Sequence, residues 1–290
     1  MRALIDGDVL LHELGWGAEF KDKDTGEDVL LGFDHVENLI LNKISIIQDE
    51  VGATEPPLIF LTNSEYLNTK LNKERKRRGE EPVEFVPNFR YEVAKTKPYK
   101  GTRHNKKPYH FYNILAYFMF NYDCVINEQG LEADDAICIY QGTRKDTIIC
   151  SRDKDLRMQE GWHYSWECGK QGAIGPVFTD KLGWVEATSR NKILGYGKSF
   201  FYTQLLTGDS VDNIPGLPGC GIVAAYKLLQ PSEGTEVPTR QSLYEIVRKT
   251  YEDKLGDGYE EYLLEQGRLL YMINELNEDG SPKMWELEHV

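Results

Sequence analysis

The chain has 290 residues, 40 % of them apolar, with five cysteines and a net charge of −13. That size suits one large α/β domain, or a core with an appended subdomain, built without disulfide staples. The cysteines are odd in number with no CxxC pair, Asp6 and Asp8 cut the apolar run of "MRALIDGDVLL", and no window reaches the length of a membrane span; reduced thiols in a cytoplasmic chain with no membrane partner are expected.

In chain order, the apolar runs "ALI" at 3–5, "PLIFLT" at 57–62, "DCVIN" at 123–127 and "DTIICS" at 146–151 predict buried strands. Helices alternate with them. In "FDHVENLILNKISIIQDEV" Val36, Leu39, Ile40, Ile44, Ile47 and Val51 recur at three and four, and "YHFYNILAYFMFN" is a second, aromatic-rich candidate. Alternation of this kind predicts an α/β fold with a mostly parallel central sheet flanked by helices. After about residue 195 the texture changes to a helix, a Gly/Pro-rich hairpin and a second helix, and "YEEYLLEQGRLLYMINELN" carries helical character near the end. The arginine-rich 72–84 and "QPSEGTEVPTRQ" read as linker-like.

Sites in open α/β sheets form beyond the carboxyl ends of the strands. "ALI" runs into Asp6, "DTIICS" runs into Asp153 and Asp155, and "GLEADDAICIY" follows "DCVIN" with Glu132, Asp134 and Asp135 opening a helix. Asp209 and Asp212 precede the hairpin. These eight acids come with no His or Cys at metal-ligand spacing, and hard oxygen donors select Mg²⁺ or Mn²⁺ over zinc. Two bare carboxylates about 4 Å apart repel by roughly 4 kcal/mol at an effective dielectric near 20, so acids gathered at one edge call for cations. Helix polarity accounts for part of the pattern, since acids in a first turn meet unpaired N–H groups, and Asp135 and Asp212 taken singly read equally well as helix caps. Glu132 and Asp134 can face one centre, whereas Asp135 would point about 100° from Asp134 on a regular helix and act through water.

The acidic average argues against a polyanion partner, but the distribution does not. Between Lys70 and Lys107 thirteen lysines and arginines stand against five glutamates. Such an island is the electrostatic footprint of a phosphate backbone, or else a solvated basic loop. In "NIPGLPGCG", Gly216, Gly219 and Gly221 permit tight turns, and the following helix "GIVAAYKLL", with Lys227, offers its N-terminal N–H groups to an anion. The chain has no GxGxxG or GxxxxGK[ST] sequence, which sets aside a nucleotide-binding enzyme.

The motifs "IDGD", "PYKGTR", "LEADD", "SRDKDL" and "TGDSVDNIPGLPGCG" occur in an order and spacing that resemble the 5′-nuclease (flap endonuclease-like) family, over most of residues 1–230. The similarity is greatest to stand-alone phage 5′→3′ exonucleases. It implies a PIN-like catalytic core over 1–195, with a basic helical arch at about 64–108, and a helix-hairpin-helix DNA-binding region with C-terminal helices over 196–290. It also implies two Mg²⁺ or Mn²⁺ ions. Asp6, Glu132, Asp134 and Asp135 match the first metal cluster, and Asp153, Asp155, Asp209 and Asp212 the second, for hydrolysis of DNA near 5′ ends, flaps or nicks to 5′-phosphate products, in replication or degradation.

Lys100 and Arg103 match a basic pair contacting the scissile phosphate, and Tyr99 an aromatic stacked on a terminal base, with simple packing as its alternative. Arg90, Lys97, Lys106, Lys107 and Lys227 are expected on DNA. Gly216, Gly219 and Gly221 match a hairpin that holds K⁺ against the backbone. A monomer is the family default, in the host cytoplasm for a viral chain. Where the family usually has Asp after the second strand, this chain has Asn63, which brings no charge yet can orient a metal-bound water or phosphate; Asp8, from the doubled "DGD", is placed beside it outside the ligand set. The run 73–78 is expected to be an enlarged, mobile wall of a DNA channel. Removal of RNA primers from RNA–DNA hybrids, and non-catalytic structure-specific DNA binding, are the rival readings.

Overall fold

Residues 1–102, 106–189, 192–230 and 239–288 are described by a computed structural model of the chain. Their strands are β1 (Arg2–Asp6), β2 (Glu19–Lys21), β3 (Asp28–Leu30), β4 (Leu58–Thr62), β5 (Asp123–Asn127), β6 (Thr147–Cys150), β7 (Gly161–Ser165), β8 (Ile174–Thr179), β9 (Trp184–Ser189) and β10 (Lys192–Tyr196). The helices are α1 (Gly7–Gly17), α2 (Phe33–Val51), α3 (Glu65–Arg78), α4 (Arg90–Val93), α5 (Phe111–Asn121), α6 (Ala133–Gly142), α7 (Gly197–Thr207), α8 (Ile222–Leu229), α9 (Arg240–Leu255) and α10 (Tyr259–Leu270). The chain divides into two compact units. The first is Met1–Pro87, Asn105–Lys154 and Gly161–Phe178; the second is Asn88–His104, Asp155–Glu160 and Thr179–Val290. No helix among the described residues is long and apolar enough to cross a membrane.

The first unit is built on a six-stranded sheet in the order β5-β4-β1-β6-β7-β8. The pairs β5/β4, β4/β1, β1/β6 and β6/β7 are parallel. The chain moves outward from β1 to β4 and β5, then returns to place β6 on the other side of β1. The order therefore reverses at β1, whose carboxyl end is the place where such sheets hold ligands. Ala3, Leu4 and Ile5 are wholly buried, as a strand covered on both faces requires. On α2 the buried residues are Val36, Ile40, Ile44, Ile47 and Val51, one stripe at three- and four-residue spacing, and Gly52 ends the helix in the left-handed region at φ 62°. Gly7 opens α1 where a Cβ would lie 2.7 Å from the Phe60 carbonyl oxygen, so only glycine lets α1 start against β4.

The basic run 73–78 is not a mobile loop. It is the end of α3, which Ser64 caps by accepting from Leu67 N–H, and Gly79 closes at φ 76°. Asn72 holds Val83 through both backbone groups, donating to its carbonyl at 2.8 Å and accepting its N–H at 2.9 Å. Arg75 reaches Glu128 through both carboxylate oxygens, at 2.7 and 2.6 Å. These caps and contacts thus order a segment whose composition suggests disorder.

The second unit packs around α7. Phe200, Phe201, Tyr202, Leu205 and Leu206 are buried on every side of this helix, against residues of α8, α9 and α10. The loop after α7 doubles back, with Asp209 and Ile214 exchanging backbone hydrogen bonds at 2.8 and 2.7 Å. Gly208 and Gly216 meet inside it at φ 70° and 62°, where a Cβ on Gly216 would lie 2.2 Å from Gly208 N. The helical character predicted through 277 stops at Leu270. There the Arg90 guanidinium takes the Leu269 and Tyr271 carbonyls at 3.1 and 2.8 Å, an end-cap from a distant segment.

Candidate active site

In the first unit the acids sit where strands β1 and β6 end. Asp6 closes β1 and caps α1, Oδ1 accepting from Val9 N–H at 3.1 Å, and Oδ2 accepts the Ser151 hydroxyl at 2.6 Å. The same hydroxyl oxygen accepts Asp153 N–H at 2.8 Å. Asp8 accepts Thr62 N–H at 3.2 Å, which joins the start of α1 to the end of β4. Asp6 is 1 % exposed. Burial, helped by the charges of Asp8 and Asp153, lifts its carboxyl from 3.8 to about 7, against the lowering effect of the Ser151 and Val9 donors. A carboxylate pushed up by burial and like charge is a site where a cation is favoured.

Thr62 also accepts Ala133 N–H on its hydroxyl at 2.8 Å, bringing the start of α6 to the end of β4. Glu132 and Asp134 are half-buried at that helix start. Asp135 is wholly buried, and its Oδ2 accepts Glu132 N–H at 3.3 Å. This caps the helix, so Asp135 orients the backbone that carries Glu132. Asn63 donates weakly to Asn68 Oδ1 at 3.4 Å, while its own Oδ1 is buried with no hydrogen-bond donor. Oxygen donors alone, one of them an unpaired amide carbonyl, fit a hard divalent cation.

In the second unit Asp155 accepts Gln204 Nε2 at 2.7 Å. Asp209 is buried and its Oδ1 accepts Val211 N–H at 2.7 Å and Asp212 N–H at 3.4 Å. Segment 98–100 is clasped to this acidic turn by three bonds. Tyr99 donates to Asp212 Oδ2 at 3.2 Å, Lys100 N–H to the Asp212 carbonyl at 2.9 Å, and Asn213 Nδ2 to the Pro98 carbonyl at 2.9 Å. Lys100 takes φ 54° there, a left-handed conformation costing a non-glycine residue about 1 kcal/mol or more.

Two expectations are corrected. Tyr99 is 5 % exposed, packed in the second unit's core with its ring against Tyr91, so it serves packing and offers no free face to a base. Arg90, 1 % exposed, caps α10 through the Leu269 and Tyr271 carbonyls, so its buried guanidinium is not presented to DNA. Gly216 also works inside the fold: its N–H goes to Gln266 Oε1 at 3.0 Å and its carbonyl accepts Tyr262 Oη at 2.9 Å. Gly219 and Gly221 are exposed, as are Lys97, Lys106, Lys107 and Lys227. Arg103 lies outside the described residues.

Among the described residues, no three His, Cys, Asp or Glu side chains are gathered into a formed metal-binding group. Asp6, Asp8, Asp135, Asp155, Asp209 and Asp212 each engage a donor from the protein instead. Ser151, Thr62 and Gln204 supply several of those donors. Nothing in the sequence marks them except the place of Ser151 and Thr62 at strand ends.

No protein-family model matches the chain. The T5 D15 protein, solved with co-crystallised metal ions, is 14 % identical with a TM-score of 0.46, over 91 % of this chain and 86 % of that one. DNA polymerase I of Rhizobium leguminosarum is 36 % identical over 117 residues, 38 % of this chain. The matched part is about 10 % of that polymerase's length. Over those 117 residues the chain is similar to this DNA polymerase I, and its five ordered motifs resemble those of the 5′-nuclease family.

Proposed function

We propose that the chain is a divalent-metal-dependent 5′→3′ nuclease that hydrolyses DNA phosphodiesters near 5′ ends, at flaps or nicks. The observation that carries this reading is Asp6, a buried carboxylate at the sheet's reversal point whose charge Asp8 and Asp153 oppose. Asp6, Glu132, Asp134 and Asp153 would hold Mg²⁺ or Mn²⁺ in the first unit, and Asp155, Asp209 and Asp212 in the second. Such cations supply charge neutralisation to a phosphodiester as its oxygens gain negative charge.

The chain's own residues do the rest. Ser151 and Val9 N–H hold Asp6 in one orientation. Asp135 fixes the turn that presents Glu132. Lys100 is held by Asp212 in a strained backbone conformation, and backbone strain of this kind concentrates at functional positions. Its ammonium would pair with the scissile phosphate and stabilise charge that grows during cleavage. The exposed glycines 219 and 221 and Lys227 would contact duplex phosphates without reading bases.

The test is cleavage of a 5′-labelled DNA flap in Mg²⁺, Mn²⁺ or chelator, with Asp6→Asn and Asp153→Asn alongside. Metal-dependent cleavage, lost by at least about a hundredfold in both variants, is expected. A parent protein that binds the flap and yields no product in either metal would leave only the DNA-binding reading.

A further inference from the structure

In the second unit, one face of α10 holds two segments that carry candidate site residues. Tyr262, Glu265 and Gln266 are three and four residues apart on that face. Tyr262 and Gln266 bind Gly216, at the end of the loop that carries Asp209 and Asp212. Glu265 binds the segment that leads to Lys100. Its Oε1 accepts Lys95 N–H and Thr96 N–H, both at 2.7 Å, and its Oε2 accepts the Thr96 hydroxyl at 2.6 Å. Glu265 belongs to none of the acidic motifs.

The arrangement differs from a surface ion pair. The carboxylate engages two backbone N–H groups and a hydroxyl, charge-assisted bonds that fix the path of the main chain. Lys95 and Thr96 are exposed, so burial does not fix the chain there. A few residues on, Lys100 holds φ 54°, a conformation that persists only where its surroundings over-determine it. On one side those surroundings are Asp212, which takes Tyr99 Oη and Lys100 N–H, and the Tyr99 ring, whose centre lies 5.0 Å from Lys100 Nζ. On the other side they are the clasp at 95 and 96. A displacement of about 1 Å in a group aligned with a reacting phosphate costs about a hundredfold in rate, so the path of this exposed segment bears directly on what Lys100 can do.

We infer that Glu265 is a positioning residue for Lys100: by clasping the backbone at 95 and 96 to α10, it holds the lysine beside Asp212. This rests on the nuclease reading above and adds to it a residue that acts only through Lys100. It also makes α10 the common support of the lysine and of the acidic turn, since Gln266 and Tyr262 hold the turn from the same face.

The test uses the full chain and two independent readouts. The first is amide hydrogen exchange in chelator, without DNA. Glu265→Ala is expected to speed exchange of Lys100 N–H about tenfold or more while Gly216 N–H, held by Gln266, exchanges as in the parent. The second is a double-mutant cycle on single-turnover flap cleavage in Mg²⁺. Glu265→Ala is expected to slow cleavage about tenfold, with flap affinity in chelator within about threefold of the parent. In a Lys100→Ala background the same substitution is expected to cost nothing further, because a group that acts through Lys100 has nothing left to position. Glu265→Gln keeps an oxygen for the two N–H groups and an amide that can donate to Thr96, and is expected to restore both readouts to within about threefold.

Unchanged exchange at Lys100 in Glu265→Ala overturns the inference. So does additivity in the cycle, which assigns Glu265 a general structural role. Faster exchange at Gly216 as well as at Lys100 would mean that α10 itself had loosened, and also overturns it. A Glu265→Gln variant as impaired as Glu265→Ala would assign the effect to charge and overturn the clasp. A parent that cleaves no flap in Mg²⁺ or Mn²⁺ defeats the nuclease reading alone, and exchange at Lys100 then decides the clasp; a parent that cleaves while the cycle is additive defeats this inference alone.

Discussion

Ser151 donates its hydroxyl to Asp6 Oδ2 at 2.6 Å and accepts Asp153 N–H at 2.8 Å, so one small side chain holds the ends of two neighbouring parallel strands in register at their acidic edge. Ser151→Ala removes the hydroxyl donor from the buried Asp6 carboxylate and the acceptor from Asp153 N–H. A loss of about 1–3 kcal/mol in unfolding free energy is expected, read from urea denaturation in chelator. Flap cleavage in Mg²⁺ is expected to fall about tenfold, because Asp6 is no longer held in one orientation. Wild-type stability in Ser151→Ala would show that the hydroxyl is replaceable by water.

Arg90→Ala is expected to destabilise the protein by about 2–4 kcal/mol, since it removes the buried guanidinium that takes the Leu269 and Tyr271 carbonyls. Arg90→Lys recovers little of this, because an ammonium cannot reproduce the fork that serves two carbonyls. The salt dependence of duplex binding is expected to match the parent's, whereas a DNA-contacting arginine would lower its slope by about 0.9.

Gly216→Ala places a methyl group 2.2 Å from Gly208 N at a backbone φ of 62°. The loop 208–216, which carries Asp209 and Asp212, would have to open. A cost above about 3 kcal/mol is expected, with flap cleavage lost. Gly219→Ala has open space apart from Lys254 Nζ at 3.9 Å and carries only the left-handed backbone cost of about 1–2 kcal/mol. Equal destabilisation of the two variants, measured by thermal melting, would contradict the close approach of Gly208 and Gly216.

Stability is expected to fall as pH rises above 9. Burial lifts the Cys124 thiol from 9.0 to about 12 and raises Cys150, Tyr202 and Tyr251 as well. The folded state keeps these protons while the unfolded chain releases them, so the unfolded state binds fewer protons and stability declines with pH. For Cys124 alone the slope is about 1.4 kcal/mol per pH unit between 9 and 12. Cys124→Ala is expected to make the alkaline slope shallower by that amount in urea titrations.

Much of the frame was legible in the sequence because its signals are local. The runs at 3–5, 57–62, 123–127 and 146–151 became β1, β4, β5 and β6, and the stripe at Val36–Val51 became the buried face of α2. Apolar periodicity follows from which face must leave water, and that information sits within a dozen residues. The motifs also contain Asp6, Asp8 and Asp153, and in the fold the charges of Asp8 and Asp153 each act on Asp6.

The fate of Tyr99, Arg90 and the run 73–78 was decided only by tertiary structure. Composition shows an aromatic, a cation and a basic segment, each equally suited to solvent, to DNA or to packing. The choice depends on partners far along the chain: Asp212 for Tyr99, the Leu269 and Tyr271 carbonyls for Arg90, Glu128 for Arg75. An isolated polar side chain carries no record of the distant group that will desolvate or pair it. The residue types at the acidic edge were therefore written in the sequence, while the donors that orient them, Ser151, Thr62 and Gln204, took their roles from the folded chain.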